Sequence, residues 1–589
     1  MIMIFFSEST PKEKFDIVLG NPPWVSRKRS DILSATAWCK AHNYPMPADE
    51  LAWAFVWKGL HHVKSAGTIA FLLPAMGFLH NHSESSIQAR NLWLEQIFLK
   101  RVINFSDIRF LLFDGAVRPT ALCLFQPSVK ELHDYRFDYW CPKADPLLQT
   151  TRMLTMNRGD KVSLKISMVL HEPTAWGRYL WMTNRDMKLF GWPSSLSKLH
   201  KKIEKYIDYK KHLKNTTKWI IGQGFQPVTN SNDKPKVSKI VPKIPFLDAN
   251  DFQEWVIPSA TLKKPCTSPL RRLGFEKGYY GPHVLIPKGI NRKNGCLRAA
   301  YSKEDFSFRH AIQSIISFSK GDASKLKLLT VILNSRFAAW FYFHETSSLG
   351  SDRPLVDENQ LLSLPFPELN ELPDSAAANR AEKAIVRIVD DLLLEKDELL
   401  QGQLPNDETI ERLNRLVYQY YGLTEDEITV IEDTIKYVLP SIQPSAKALP
   451  PLWSKTNQRH WQEYMKVLSA TLESWLIPNC YLSATLTAGH PYLVLIGLRI
   501  PSKRPQRALV INETHDAFNA ALSRINAGLR QKISRNFYLV PDLRIFVNDT
   551  LYLIKPKIMR FWTKSAALND ADAIVADLQS ARHPYEKQG

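Results

Sequence analysis

Asn21, Pro22, Pro23 and Trp24 follow directly behind the apolar run Phe15–Leu19, within the stretch KFDIVLGNPPWVSRKR. Proline fixes φ and cannot donate to a sheet ladder, so a strand that runs into Pro-Pro stops abruptly and holds the groups before it in one pose. The Asn21 carboxamide offers a donor and an acceptor, and the Pro22 carbonyl adds an acceptor. Together they can accept both hydrogens of an exocyclic NH2 group and aim its nitrogen lone pair at an electrophile. An indole next door can stack on a base turned out of its helix. The set suits methylation of a planar amine. The plainer reading is a strand-ending turn with a core tryptophan.

Residues 14 to 126 alternate strand and helix signals, which is what such a site needs around it. Phe15 to Leu19 and Gly67 to Leu73 read as buried strands. Asp49 to Ser65 and Glu84 to Leu99 read as helices, the first with acidic residues in its opening turn. Lys100 to Phe105 and Ala121 to Phe125 are further strands. Alternation of this kind predicts a largely parallel sheet covered on both faces, with ligands beyond the carboxyl ends of its strands, where Asn21 falls. Residues 131–375 lose the rhythm and are rich in Pro, Gly, Lys and aromatics. Residues 376–440 turn helical and acidic, and LPSIQPSAKALPPLW reads as a linker. Residues 455–589 form a small α+β unit of unassigned role.

The chain has 589 residues, too many for one core, with 44% hydrophobic and 23% charged residues, an ordinary globular balance. Its longest apolar stretch, Gly67 to Leu79, is too short for a bilayer and contains Pro74, so no membrane role is expected. Six scattered cysteines without a CxxC pair predict neither a zinc site nor a disulfide framework and suit the cytoplasm. The net charge is +19, and from Lys198 to Arg298 there are 21 Lys and Arg against 7 Asp and Glu, a balance of +14. Lysines interleaved with Tyr206, Tyr209 and Trp219 there predict a phosphate-contacting surface carried by Lys201, Lys202, Lys210 and Lys211; a solvated helix face is the alternative.

FDIVLGNPPW resembles motif IV of the S-adenosylmethionine-dependent amino-methyltransferases, in particular the N6-adenine DNA methyltransferases of restriction and phage-defence systems. The resemblance implies that Asn21 and the Pro22 carbonyl hold the target amine, with Pro23 fixing the turn and Trp24 stacking on the flipped adenine. Trp stands where Tyr or Phe is commoner. GTIAFLLPAMGFL resembles the next strand and loop, and RVINFSDIRFLLFDGAVRPTALCLF the segment closing the catalytic sheet. Later blocks, among them IIGQGFQP, GPHVLIPKG and LLSLPFPEL, resemble the target-recognition half of large restriction-type methylases, to about residue 440. The fold this implies is α/β: an incomplete class I, Rossmann-like sheet in residues 1–130, a mixed target-recognition domain in 131–375, the helical segment, and the α+β unit. The partners it implies are double-stranded DNA and other defence proteins such as a helicase or nuclease. Arg27, Lys28, Arg29, Arg336 and Arg353 are the further nucleic-acid-binding expectations. Compact protein and ribosomal RNA methylases share NPPY-type motifs, but the long basic chain after this one favours DNA over RNA.

A donor-binding loop, Phe-x-Gly-x-Gly, is expected before motif IV, and only 20 residues precede Asn21. The downstream candidate, Gly222-Gln-Gly224, is followed by FQPVTNSNDKPK, which cannot be the helix a donor needs. The expectation is therefore a catalytic subunit whose S-adenosylmethionine site is completed by a second polypeptide. A catalytically inert DNA-binding or scaffold protein is the alternative. Neither a P-loop nor a nuclease motif is expected, since the Pro-Asp pairs at Asp374 and Asp542 lack a strand carrying Glu-x-Lys.

Overall fold

In the computed structural model, which describes residues 14–25, 30–113, 118–127, 134–206, 218–229, 234–291, 294–346, 350–351, 356–395, 405–442, 449–528 and 542–582, the run behind Asn21 forms strand β1 (Phe15–Gly20). Helices α1 (Ser30–Ala41) and α2 (Leu51–His62), strand β2 (Val63–Pro74), helix α3 (Glu84–Gln96) and strands β3 (Ile97–Asn104) and β4 (Thr120–Pro127) follow. Two more strands, β5 (Arg136–Trp140) and β6 (Lys161–Lys165), complete a six-stranded sheet of order β1-β2-β4-β3-β5-β6. The sheet is mixed rather than largely parallel. β1 with β2 and β3 with β5 run parallel, while β4 enters antiparallel between β2 and β3. The physical reason is that β4 returns directly from β3 without a crossover helix.

One face of this sheet is sealed. Val18, Ile69, Phe71, Leu73, Val102, Cys123 and Phe125 are buried. Trp93 of α3 meets Phe125 edge-on at 5.4 Å, and Trp53 of α2 stacks on Phe78 at 4.0 Å. The opposite face is open at its β1 side, where Ile17 and Leu19 are 64% and 74% exposed. β1 is the edge strand. Phe15–Leu19 is thus largely uncovered rather than a buried strand. Gly67–Leu73 is covered, because β2 is paired on both sides and alternates buried with half-buried residues.

The chain divides into two units: residues 1–185 with 350–353 and 440–589, and residues 186–349 with 354–439. This differs from a boundary at 130, because β5 and β6 belong to the first sheet. Residues 376–440 likewise pack into the second unit rather than standing apart. That unit holds a sheet of β7 (Ile203–Lys205), β8 (Trp219–Gln223), β9 (Trp255–Val256), β10 (His283–Pro287), β11 (Ala300–Ser302) and β12 (Ile312–Ile316), in the order β9-β11-β10-β12-β8-β7. Helices α4 (Ala323–Asn334), α5 (Arg336–Glu345), α6 (Ser375–Glu395), α7 (Asp407–Tyr421) and α8 (Glu425–Asp433) accompany it, with Phe337 of α5 stacked on Tyr421 of α7 at 4.1 Å.

The carboxy-terminal part of the first unit is a five-stranded sheet. Its elements are α9 (Gln458–Glu473), β13 (Ser483–Thr487), β14 (Leu493–Arg499), β15 (Leu509–Asn512), α10 (His515–Gly528), β16 (Leu543–Val547), β17 (Thr550–Pro556) and α11 (Lys564–Arg582), with strand order β15-β13-β14-β17-β16. It is tied to the amino-terminal part by buried polar contacts. Trp453 donates to the Ala144 carbonyl at 2.9 Å, and Arg560 bridges to buried Asp160 at 2.6 Å. Inside it, Lys555 lies between Asp542 and Asp570 at 3.3 and 2.7 Å.

Candidate functional site

β1 delivers Asn21 to the carboxyl end of the sheet, next to its parallel neighbour β2. Gly20 closes the strand, and a Cβ there would approach the Phe71 ring to 3.0 Å. Pro22 is buried, whereas Asn21 and Pro23 are exposed. The Asn21 carboxamide makes no hydrogen bond among the described residues, so both its donor and its acceptor are free. Trp24 is half-buried rather than fully exposed. Its indole N–H donates to the Leu72 carbonyl of β2 at 3.3 Å, and its ring meets Phe113 edge-on at 6.3 Å. These contacts fix the plane of the indole.

Two neighbours hold the loop. Arg118 donates to the Trp24 carbonyl at 3.0 Å, and the Leu51 amide donates to the Val25 carbonyl at 3.2 Å. Glu50, at the N-cap of α2, makes no cap bond with its side chain. Its carboxyl lies against Gly77 in the turn after β2, where any Cβ would collide with it. Burial pushes Glu50 up to about 7, and the charge of Arg118 opposes that rise. The chain reaches Glu50 through Ala48 and Asp49, both with left-handed φ, 56° and 52°. Such backbone in residues other than glycine is strained and clusters at functional sites. Sequence reasoning counted Glu50 only as a first-turn acid and passed over Arg118 and Phe113. The strained residues carry no sequence mark.

The remaining expected site residues fare differently. Arg27, Lys28, Arg29, Lys210, Lys211 and Arg353 lie outside the described residues. Lys201 is exposed, with its ammonium 3.4 Å from the Ser197 hydroxyl. Lys202 pairs with Glu368 at 2.8 Å and lies over the Trp219 ring at 5.0 Å. Other cations of the basic stretch are also matched: Lys205 to Glu358, Lys218 to Glu204, Lys263 to Asp251 and Arg298 to Glu254. Arg336 is engaged as well. Its guanidinium is gripped by Glu411 and Glu432, and its amide by the Asn414 side chain. Those acids hold it protonated above the ordinary arginine range despite burial. The glycines of Gly222-Gln-Gly224 serve packing: a Cβ on Gly222 would strike the Phe275 ring, and one on Gly224 the Phe308 carbonyl.

Residues 3–110 match the family described as Eco57I restriction-modification methylase. The methylase match spans α1, α2, β2 and β3 together with the Asn21 loop. Solved structures similar to the chain include the type IIG restriction endonuclease BpuSI, at 13% identity over 69% of this chain and 54% of that one, with a TM-score of 0.30. The type IIL restriction-modification enzyme MmeI in complex with DNA is similar at 12% identity, over 71% and 56% of the two chains, with a TM-score of 0.36. The ATP-dependent type ISP restriction-modification enzyme LlaBIII bound to DNA is similar at 8%, over 67% and 31%, with a TM-score of 0.35. The chain spans about half the length, or less, of these three. No curated protein matches it. No helix among the described residues is long and apolar enough to cross a membrane.

Proposed function

We propose that this chain is the base-binding subunit of a site-specific DNA adenine-N6 methyltransferase of a restriction or anti-phage system, active in the cytoplasm together with a polypeptide that binds S-adenosylmethionine. The observation that carries the reading is the free, exposed Asn21 carboxamide at a strand end, beside an indole whose plane is fixed. Asn21 and the Pro22 carbonyl accept the two hydrogens of the target amine and turn its lone pair out of the ring plane. Trp24 covers the base. The basic stretch of the second unit, with Lys201 exposed and Lys210 and Lys211 in its sequence, supplies the phosphate contacts. Binding of the methyl donor is left to the partner polypeptide. The same observation favours a second reading, a DNA-binding scaffold without activity.

The test is Asn21→Ala in the assembled enzyme. Methyl transfer to DNA should fall by orders of magnitude while DNA affinity stays within about twofold, since the carboxamide orients the amine and contributes little to overall grip. Near-normal turnover would remove the Asn21 loop from the chemistry. Wild-type protein that binds DNA but stays inactive with every donor-binding partner encoded beside it would leave the scaffold reading.

A further inference from the structure

Arg499 closes β14, and the nine residues that join it to β15, Ile-Pro-Ser-Lys-Arg-Pro-Gln-Arg-Ala508, add three more cations and no carboxylate. Arg499, Lys503, Arg504 and Arg507 are all exposed, and none forms an ion pair among the described residues. Several arginines of the same unit are engaged instead: Arg158 with Asp577, Arg185 with Asp572, Arg560 with Asp160. Four like charges crowded on one connection repel one another, a cost that a polyanion offsets. Pro501 and Pro505 limit the loop's freedom, so little order remains to be imposed on binding.

Aromatic surface adjoins the charges. The pairing of Arg499 with Ser483 puts the loop at the amino end of β13, where the chain arrives from α9. There Trp475 is 59% exposed, and the Arg504 guanidinium lies 5.7 Å over the Tyr481 ring. Glu473 at the end of α9 and Asp549 in the turn between β16 and β17 pair with none of the four cations. Exposed rings among unpaired cations are the makings of a surface for nucleic acid, with phosphates on the cations and π-faces available to bases.

We propose that this end of the carboxy-terminal sheet is a second DNA-binding surface, gripping phosphates through Arg499, Lys503, Arg504 and Arg507. It gives residues 455–589 a role and does not depend on methyl transfer. The test uses the full-length chain and a labelled duplex of arbitrary sequence, with affinity followed by fluorescence anisotropy as salt is raised. Replacing all four cations by Gln should flatten the slope of log affinity against log salt by about 3 to 4, at about 0.9 per phosphate released. The pairs R499Q/K503Q and R504Q/R507Q should each give about half of that, which keeps the test open if the fourfold variant is unstable. K201Q/K202Q in the same assay reports on the second unit separately, so either surface can fail alone. An unchanged slope in both pairs would overturn the proposal. So would loss of binding to phosphatidylserine vesicles with DNA binding intact, which would make the surface one for lipid.

Discussion

Glu50 is a carboxyl that titrates near neutrality beside the Asn21 loop, and its protonation follows from where it is buried. A group raised in the folded state holds its proton more tightly there than in the unfolded chain. In acid, below the ordinary glutamate range, both states are protonated and Glu50 costs nothing. As pH rises through that range towards about 7, the unfolded carboxyl ionises freely while the folded one must lose its proton in a buried place. Stability should therefore fall across this window, by about 2 kcal/mol after allowance for its partial contact with water. Glu50→Gln should flatten the curve of melting temperature against pH between 5 and 8, whereas an unchanged curve would put the titration elsewhere. Trp24 gives a second prediction. Trp24→Ala removes a ring held by Leu72 and Phe113 and should weaken capture of a DNA site carrying an unpaired target base by about 1–3 kcal/mol, measured against the same site fully paired. Equal losses for both duplexes would mean that the indole only supports the loop.

At the scale of elements, the turn after β2 decides whether Glu50 and the Asn21 loop stay in place. Buried Arg90 of α3 donates to the carbonyls of Phe78, Leu79 and Asn81 at 3.5, 3.0 and 3.3 Å, and this ties down the turn that carries Gly77. Burial lowers Arg90 to about 10, which leaves it charged at neutral pH. Arg90→Leu strands three carbonyls and should cost about 3 kcal/mol in chemical denaturation; Arg90→Lys should recover less than half, because an ammonium cannot reproduce the fork. A Leu variant of full stability would show that water reaches those carbonyls. Much of this level was legible in the sequence. The Asn21 loop, the strand before it, the helices from 375 to 433 and the strands around 100 and 122 all fall close to where apolar period and proline placed them. Strand direction was not legible, because the run Thr120–Pro127 reads the same whether it enters parallel or antiparallel. Nor was the engagement of Arg336, whose acids lie at Glu411 and Glu432, or the burial of Glu50, which needs a glycine at 77. Contacts of that sequence separation leave no local pattern to read.

For the whole molecule, β1 stands at the sheet's edge with Ile17 and Leu19 bare. On the two-polypeptide reading, the protein on its own should give no heat on titration with S-adenosylmethionine, and binding should emerge once a donor-binding polypeptide is mixed in. Micromolar binding by the lone chain would sink the two-polypeptide reading. The edge carries one visible restraint: Asp16 and Lys64 pair across β1 and β2 at 2.9 Å, both well exposed. That charged clasp makes the strand a gatekeeper of colloidal behaviour as well as a piece of the site. A cell that makes this chain in excess would hold molecules whose bare strands can zip to one another. Shelf life in the test tube should follow the same rule, with thioflavin-positive fibrils growing faster for Asp16→Val than for wild type and slower whenever the companion chain is present.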